Sequence, residues 1–197
     1  MKKTVKLGIA VLSSLVLLCS CSEEPNKGTS ENYEIANVKT EGNKLTDNKY
    51  VEYTFEYPKD WAVLRNDGMI SVQSDEDNPN ERVTISCTAV DSRIPDITVN
   101  DYWYGKDGQP GYYKQMQETI GGDFKEISKK EVKLGNTGAP ALRVTYRAKV
   151  ADKTYKISQV VSVISGSVYT FTYTALPERF DHWEAAFTHA VTSFQFK

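Results

Sequence analysis

The sequence predicts an α+β fold: a curved antiparallel sheet whose apolar face is covered by helices. Runs with alternating apolar residues recur from Tyr50 to Thr174, the period of half-buried strands. Turn chemistry separates them at Asn66-Asp67-Gly68, Gly135-Asn136-Thr137-Gly138, Ala151-Asp152 and Ser165-Gly166. Helical patterns near Thr98–Ile120 and Pro177–Val191 supply the cover that such a sheet needs.

Each element has its own local reason. Tyr50–Tyr57 places Val51, Tyr53, Phe55 and Tyr57 on one face, and Pro58 stops the strand because it cannot donate to a ladder. Trp61–Arg65 and Met69–Ser74 flank Asn66-Asp67-Gly68, a hairpin signal because type I′ turns need positive φ at both central residues. Arg82–Val90 alternates, with Val83, Ile85, Cys87 and Ala89 together. Thr98 is a candidate N-cap for a helix carrying Val99, Tyr102 and Trp103. Gly105–Gly111 interrupts it. A second helix is expected over Gln109–Ile120, with Tyr112, Met116 and Ile120 four apart, and Gly121-Gly122 ends it.

Lys130–Leu134, Ala141–Val150, Tyr155–Ile164 and Val168–Thr174 then read as a meander. Leu142, Val144, Tyr146 and Ala148 face one way; Arg143, Thr145, Arg147 and Lys149 face the other. One buried and one wetter face is the antiparallel habit. The last helix starts at Pro177, a favoured first position. Its Phe180, Trp183, Phe187 and Val191 form one apolar stripe.

The organisation along the chain divides in three. Lys2, Lys3 and Lys6 precede an apolar run from Leu7 to Leu18. A run of about a dozen residues is short for a spanning helix, so residues 1–20 read as a secretory signal. Residues 21–48 are too polar to build a core and read as a flexible tether, about 30 Å across on average. Tyr33–Val38 within it retains the option of an edge strand. Residues 49–197 read as one globular domain, large enough to bury about two-thirds of its unfolded surface. Removing the signal removes three lysines and no acid, so the formal charge of −2 becomes more negative by three. An acidic domain without a basic face excludes the nucleic-acid-binding class.

Leu18-Cys19-Ser20-Cys21 resembles the lipobox of bacterial lipoproteins. The resemblance implies cleavage before Cys21, a diacylglyceryl group on its sulfur, and a location on the cell membrane facing out of the cytoplasm. Two acyl chains anchor stably where one does not. Cys19 fits less well, because bulky Leu18 would precede it. Only Cys87 then remains, so no internal disulfide is expected, and its alternation marks it as a buried small hydrophobe.

Phe55-Glu56-Tyr57-Pro58-Lys59-Asp60-Trp61 resembles the opening strand of PsbP-like domains, in the PsbP/DcrB-like superfamily. A glycine-turn hairpin follows at Gly68. The ending is similar too: a Tyr/Phe/Thr strand over Val168–Thr174, a helix, then Ser193-Phe194. The resemblance covers about residues 49–197. It implies an α/β/α sandwich and a non-catalytic habit, and carries over no metal or partner residues.

The chemistry is sparse. No G-x-S-x-G elbow, P-loop or G-x-G-x-x-G occurs, and the cysteines have no zinc-site spacing. His182 and His189 are seven apart on one helix, too far to share a metal comfortably. Asp75, Asp77 and Glu81 lie in an oxygen-rich loop and are weak calcium candidates; the loop lacks the glycine and bidentate glutamate of a twelve-residue calcium loop. Tyr102, Trp103, Tyr104, Tyr112 and Tyr113 are the candidate binding face, since Trp and Tyr suit interfaces and sugar stacking. More than one of them is expected beneath the sheet. No catalytic residue and no cofactor are assigned. The expected function is a membrane-tethered, non-catalytic binding or accessory module with an envelope protein or wall polymer as partner. The alternatives are a hydrolase of envelope material using carboxylates such as Asp75 or Glu184, and a calcium-dependent binding protein.

Overall fold

The computed structural model describes residues 32–41, 50–66, 69–74, 78, 81–92, 94, 96–150 and 152–196. In chain order the elements are β1 (Tyr33–Glu41), β2 (Tyr50–Pro58), β3 (Ala62–Asn66), β4 (Met69–Gln73), β5 (Thr84–Asp91), α1 (Val99–Tyr104), β6 (Gly105–Lys106), β7 (Gln109–Pro110), α2 (Tyr112–Ile120), a 3₁₀ turn (Gly121–Asp123), β8 (Lys125–Leu134), β9 (Ala139–Val150), β10 (Lys153–Ile164), β11 (Ser167–Ala175), α3 (Pro177–Thr192) and β12 (Gln195–Phe196).

Seven strands form one antiparallel sheet in the order β3-β4-β5-β11-β10-β9-β8. Its hairpins follow the turn chemistry. Asn66 pairs with Met69, so two residues join β3 to β4; Asp67 and Gly68 themselves lie outside the described residues. Ser165 and Gly166 both have positive φ, 49° and 75°, the pair of conformations a type I′ turn requires.

Both faces of the sheet are covered. On one, Tyr102, Trp103, Tyr112 and Met116 of α1 and α2 pack on Leu142, Val144, Tyr146, Tyr155, Ile157 and Val161. On the other lie α3 and a second sheet of order β1-β2-β12. Tyr53 and Phe55 of β2 meet Tyr169 and Phe171 of β11 edge to face, at 5.7 and 5.3 Å, geometries that add to plain burial. The sandwich is therefore α/β/α, with one outer layer shared between a helix and a three-stranded sheet.

α3 begins with Pro177 at its first turn and buries Phe180, Phe187 and Val191. Trp183 is half-buried and meets buried Trp61 edge to face at 5.2 Å. The helix also closes open backbone. The Glu56 N–H donates to Ser193 Oγ at 2.9 Å, and the Gly135 N–H donates to the Val191 carbonyl at 3.0 Å. Gly135 has φ +67°, and a Cβ there would sit 2.3 Å from the Phe194 carbonyl oxygen. Only glycine permits both the conformation and the approach.

Four expectations change. Within the tether expected over 21–48, the edge-strand option at Tyr33–Val38 is realised as β1, which pairs with β2 from Tyr33 to Glu41. Composition hides it because only Ala36 and Val38 face the core while Ile35, Asn37 and Lys39 look outward. The helix expected from Gln109 starts at Tyr112, because Gln109–Pro110 pairs with Gly105–Lys106 as a miniature hairpin. β8 begins at Lys125 rather than Lys130; its first half is so exposed that no apolar period marks it. The wet face of β9 is partly roofed, since α3 half-buries Arg143.

Candidate functional site

α1 is fixed at its start by a capping box: Thr98 Oγ1 accepts from the Asp101 N–H and the Asp101 carboxylate accepts from the Thr98 N–H, both at 3.1 Å. That backbone hydrogen bond holds the Asp101 carboxyl below its usual range. At its end, Gly105 and Gly111 cross closely. A Cβ on Gly105 would lie 2.1 Å from the Gln109 carbonyl oxygen, and one on Gly111 2.3 Å from the Gly105 nitrogen. The glycine-rich stretch is thus a weld between α1 and α2.

This weld decides the fate of the aromatic cluster. Tyr102, Trp103 and Tyr112 are buried at 7%, 0% and 5% exposure, and Tyr102 stacks on Tyr112 at 5.4 Å. They are core, as expected for more than one of the five, and of the candidate binding face only Tyr104 is exposed and Tyr113 half-buried. Lys129 Nζ lies over both rings, 5.5 and 4.4 Å from their centroids, within cation–π range. The Tyr113 hydroxyl donates to the Glu126 carboxylate.

Beside the buried pair is a narrow cleft lined by Thr88, Val90, Tyr102, Tyr112, Gln159, Thr170 and Thr172. Gln159 is 2% exposed. Its Nε2 donates to Thr172 Oγ1 at 3.2 Å, while its Oε1 has no partner. The free volume of ≈ 10 Å³ suits about one water, so the cleft is a place for a structural water at the aromatic seam.

The register of β8, β9 and β10 makes a feature that sequence reading missed. Lys125 stands opposite Arg147, and Lys130 opposite Arg143; Arg147 stands opposite Lys156. Residues directly opposite share a face, and Lys149 follows Arg147 by two, on the same face. A shift at Glu126/Ser128 keeps this register. Both acids of β8, Glu126 and Glu131, pair with Tyr146 and Leu142 on the opposite face. One sheet face is therefore basic and carries no acid on these strands. α3 neutralises its inner row: Arg143 to Glu184 at 2.6 Å, and Lys156 to Asp181 at 2.8 Å. Lys125, Lys130, Arg147 and Lys149 remain exposed, with no ion pair among the described residues. The net acidity of the chain conceals this local basic face, which amends the expectation that none exists. The signal was the Lys/Glu alternation of 125–133, unreadable without the register.

The remaining candidates are placed as follows. Cys21, Asp75 and Asp77 lie outside the described residues. Glu81 is half-buried; its Oε1 accepts from Asn78 Nδ2 at 2.8 Å and its Oε2 lies 3.9 Å from Arg179. No group of three metal-ligating side chains occurs among the described residues. Glu184 holds Arg143. His182 is exposed against Trp183, whereas His189 is tied to Glu56 Oε2 at 2.6 Å and stacks on Tyr33 at 3.9 Å. Cys87 is fully buried, and burial pushes its thiol up. Burial likewise raises the phenols of Tyr53, Tyr102, Tyr112 and Tyr146.

This layered body, with an aromatic-filled antiparallel sheet, defines a class that comparison confirms. The PsbP family model matches residues 42–196, and the chain belongs to the PsbP family. Its fold resembles that of LpqN, described as involved in cell envelope biogenesis of Mycobacterium tuberculosis, at 15% identity and TM-score 0.61, over 85% of this chain and 92% of LpqN. It also resembles cyanobacterial PsbP (CyanoP) from Synechocystis, at 18% identity and TM-score 0.51, over 91% of this chain and 99% of CyanoP. A Pseudomonas aeruginosa protein of unknown function is similar at 18% identity and TM-score 0.50, over 70% and 86% of the two chains. No curated protein matches the chain.

Proposed function

We propose that the protein is a lipid-tethered, extracytoplasmic accessory module that binds an envelope partner and performs no chemistry of its own. The observation that carries this is the PsbP-family fold, shared with LpqN, which is described as involved in cell envelope biogenesis. The Cys87 thiol and the core phenols are pushed up, hence kept protonated. A thiolate nucleophile or a phenolate base would require the opposite shift. Among the described residues, no helix is long and apolar enough to cross a membrane, so attachment in this reading falls to Cys21. Ten residues lie between Cys21 and Asn32, the first described residue. Kinship in fold with LpqN supports an envelope setting.

Replacing the anchor tests the reading. Cys21→Ser is expected to leave the domain folded and release it from membranes, read by fractionation and thermal melting. A folded variant that still pellets with membrane refutes the tether. Mild crosslinking should then recover a discrete envelope partner with the wild type.

A further inference from the structure

We propose that the basic step formed by β8, β9 and β10 beside α3 binds a linear phosphodiester polymer without aromatic bases. The envelope reading supplies only the place where such a polymer would be met; the geometry stands without it. Lys125, Lys130, Arg147 and Lys149 are exposed on one sheet face to which β8, β9 and β10 contribute no acid. Neighbouring strands hold opposed side chains about 5 Å apart, and alternate residues along a strand lie about 7 Å apart. A chain of regularly spaced negative charges can meet several of these cations at once, whereas a lone phosphate meets one or two. Hydroxyls of Ser128 and Thr154 lie on the same face and can donate to phosphate oxygens.

The surroundings select the kind of polyanion. α3 packs on this face, held by Arg143–Glu184 and Lys156–Asp181 and by Lys156 Nζ 4.1 Å from the Phe180 ring centroid. A helix stands about 10 Å high, so it keeps a flat bilayer off the cations at its foot while leaving room for a strand-like polymer along the step. Asp181 on that wall, exposed and paired with Lys156 at 2.8 Å, confines the polymer to the outer row. The face offers Lys, Arg, Ser and Thr but no aromatic side chain on β8–β10. Stacking on aromatics is the main non-ionic contribution to single-stranded nucleic-acid binding, so a nucleic acid gains nothing here beyond its charge.

The test uses the full chain in detergent with fluorescein-labelled poly(glycerol phosphate). Four cations predict that log K falls with log salt at a slope of about −3. Lys125→Ala with Arg147→Ala should halve that slope and weaken binding by about tenfold or more at low salt. Lys130→Ala with Lys149→Ala is the second pair, should the first fail to fold. Unchanged affinity in a folded pair overturns the proposal. So does tighter binding of an oligodeoxynucleotide of equal phosphate number. Sedimentation of the Cys21→Ser chain with phosphatidylglycerol vesicles that falls on removing the strip cations assigns the step to a bilayer instead, and also overturns it. Lost polymer binding with normal membrane fractionation refutes the step alone; the reverse result refutes the tether alone.

Discussion

The two faces of β8, β9 and β10 share a backbone and differ in everything else. Under α1 and α2, Leu142, Val144, Tyr146, Ala148, Tyr155, Ile157 and Val161 are all buried. On the reverse, one residue along β9 from Tyr146 and Ala148, Arg147 and Lys149 stand in water. The contrast teaches that a strand's alternation can assign stability to one side and recognition to the other, provided a helix covers only part of the second side. α3 supplies that partial cover, and its acids convert the inner cations from binding groups into packing groups.

The contrast can be broken most severely from the covered side. Trp103 is fully buried, between Tyr112 and Tyr113 at 5.8 and 5.6 Å. Trp103→Ala is expected to lower unfolding free energy by about 3–5 kcal/mol, measured in denaturant. A change below about 1 kcal/mol would mean that α1 and α2 are not a weld but a loosely held flap.

A second effect is graded by pH. The thiol of Cys87 and the phenol of Tyr53 are raised in the folded state. Above the unfolded values, near 8.5 for thiol and 10 for phenol, the unfolded chain loses protons that the folded chain keeps. By linkage stability then falls with rising pH. The slope is about 1.4 kcal/mol per pH unit for each such group, and it is absent below about pH 8. Cys87→Ala should remove the earliest part of that alkaline loss. A flat unfolding midpoint between pH 8 and 11 would contradict the burial.

The smallest effect belongs to the basic side. Lys125→Ala with Arg147→Ala removes two exposed charges, so stability should move by no more than about 0.5 kcal/mol. A larger loss would sharpen the comparison the other way, showing that these cations serve packing like Arg143 and Lys156.

How far this was legible in the sequence follows from the same alternation. The faces of β9, the hairpin at Ser165-Gly166 and the stripe of α3 were readable because each strand or helix there has one strongly apolar side. β1 was legible only as an option at Tyr33–Val38, because two small inward residues, Ala36 and Val38, carry its contact with the core. The first half of β8 was invisible because both its faces are wet. The aromatic cluster could be found but not located, since Tyr and Trp serve cores and interfaces alike; only the crossing of Gly105 and Gly111 decides that three of the five point inward. The basic step needed a cross-strand register, and registers depend on a bulge at Glu126/Ser128 that no local signal announces.

The measurement that joins the two faces is the thermal midpoint with and without poly(glycerol phosphate). A ligand that binds only the folded chain at about a hundredfold excess over its Kd adds about 2.7 kcal/mol, which for a domain of this size raises the midpoint by several degrees. The account expects that rise in the wild type and its loss in Lys125→Ala with Arg147→Ala, whose midpoint without polymer stays unchanged. An equal rise in both proteins would contradict it.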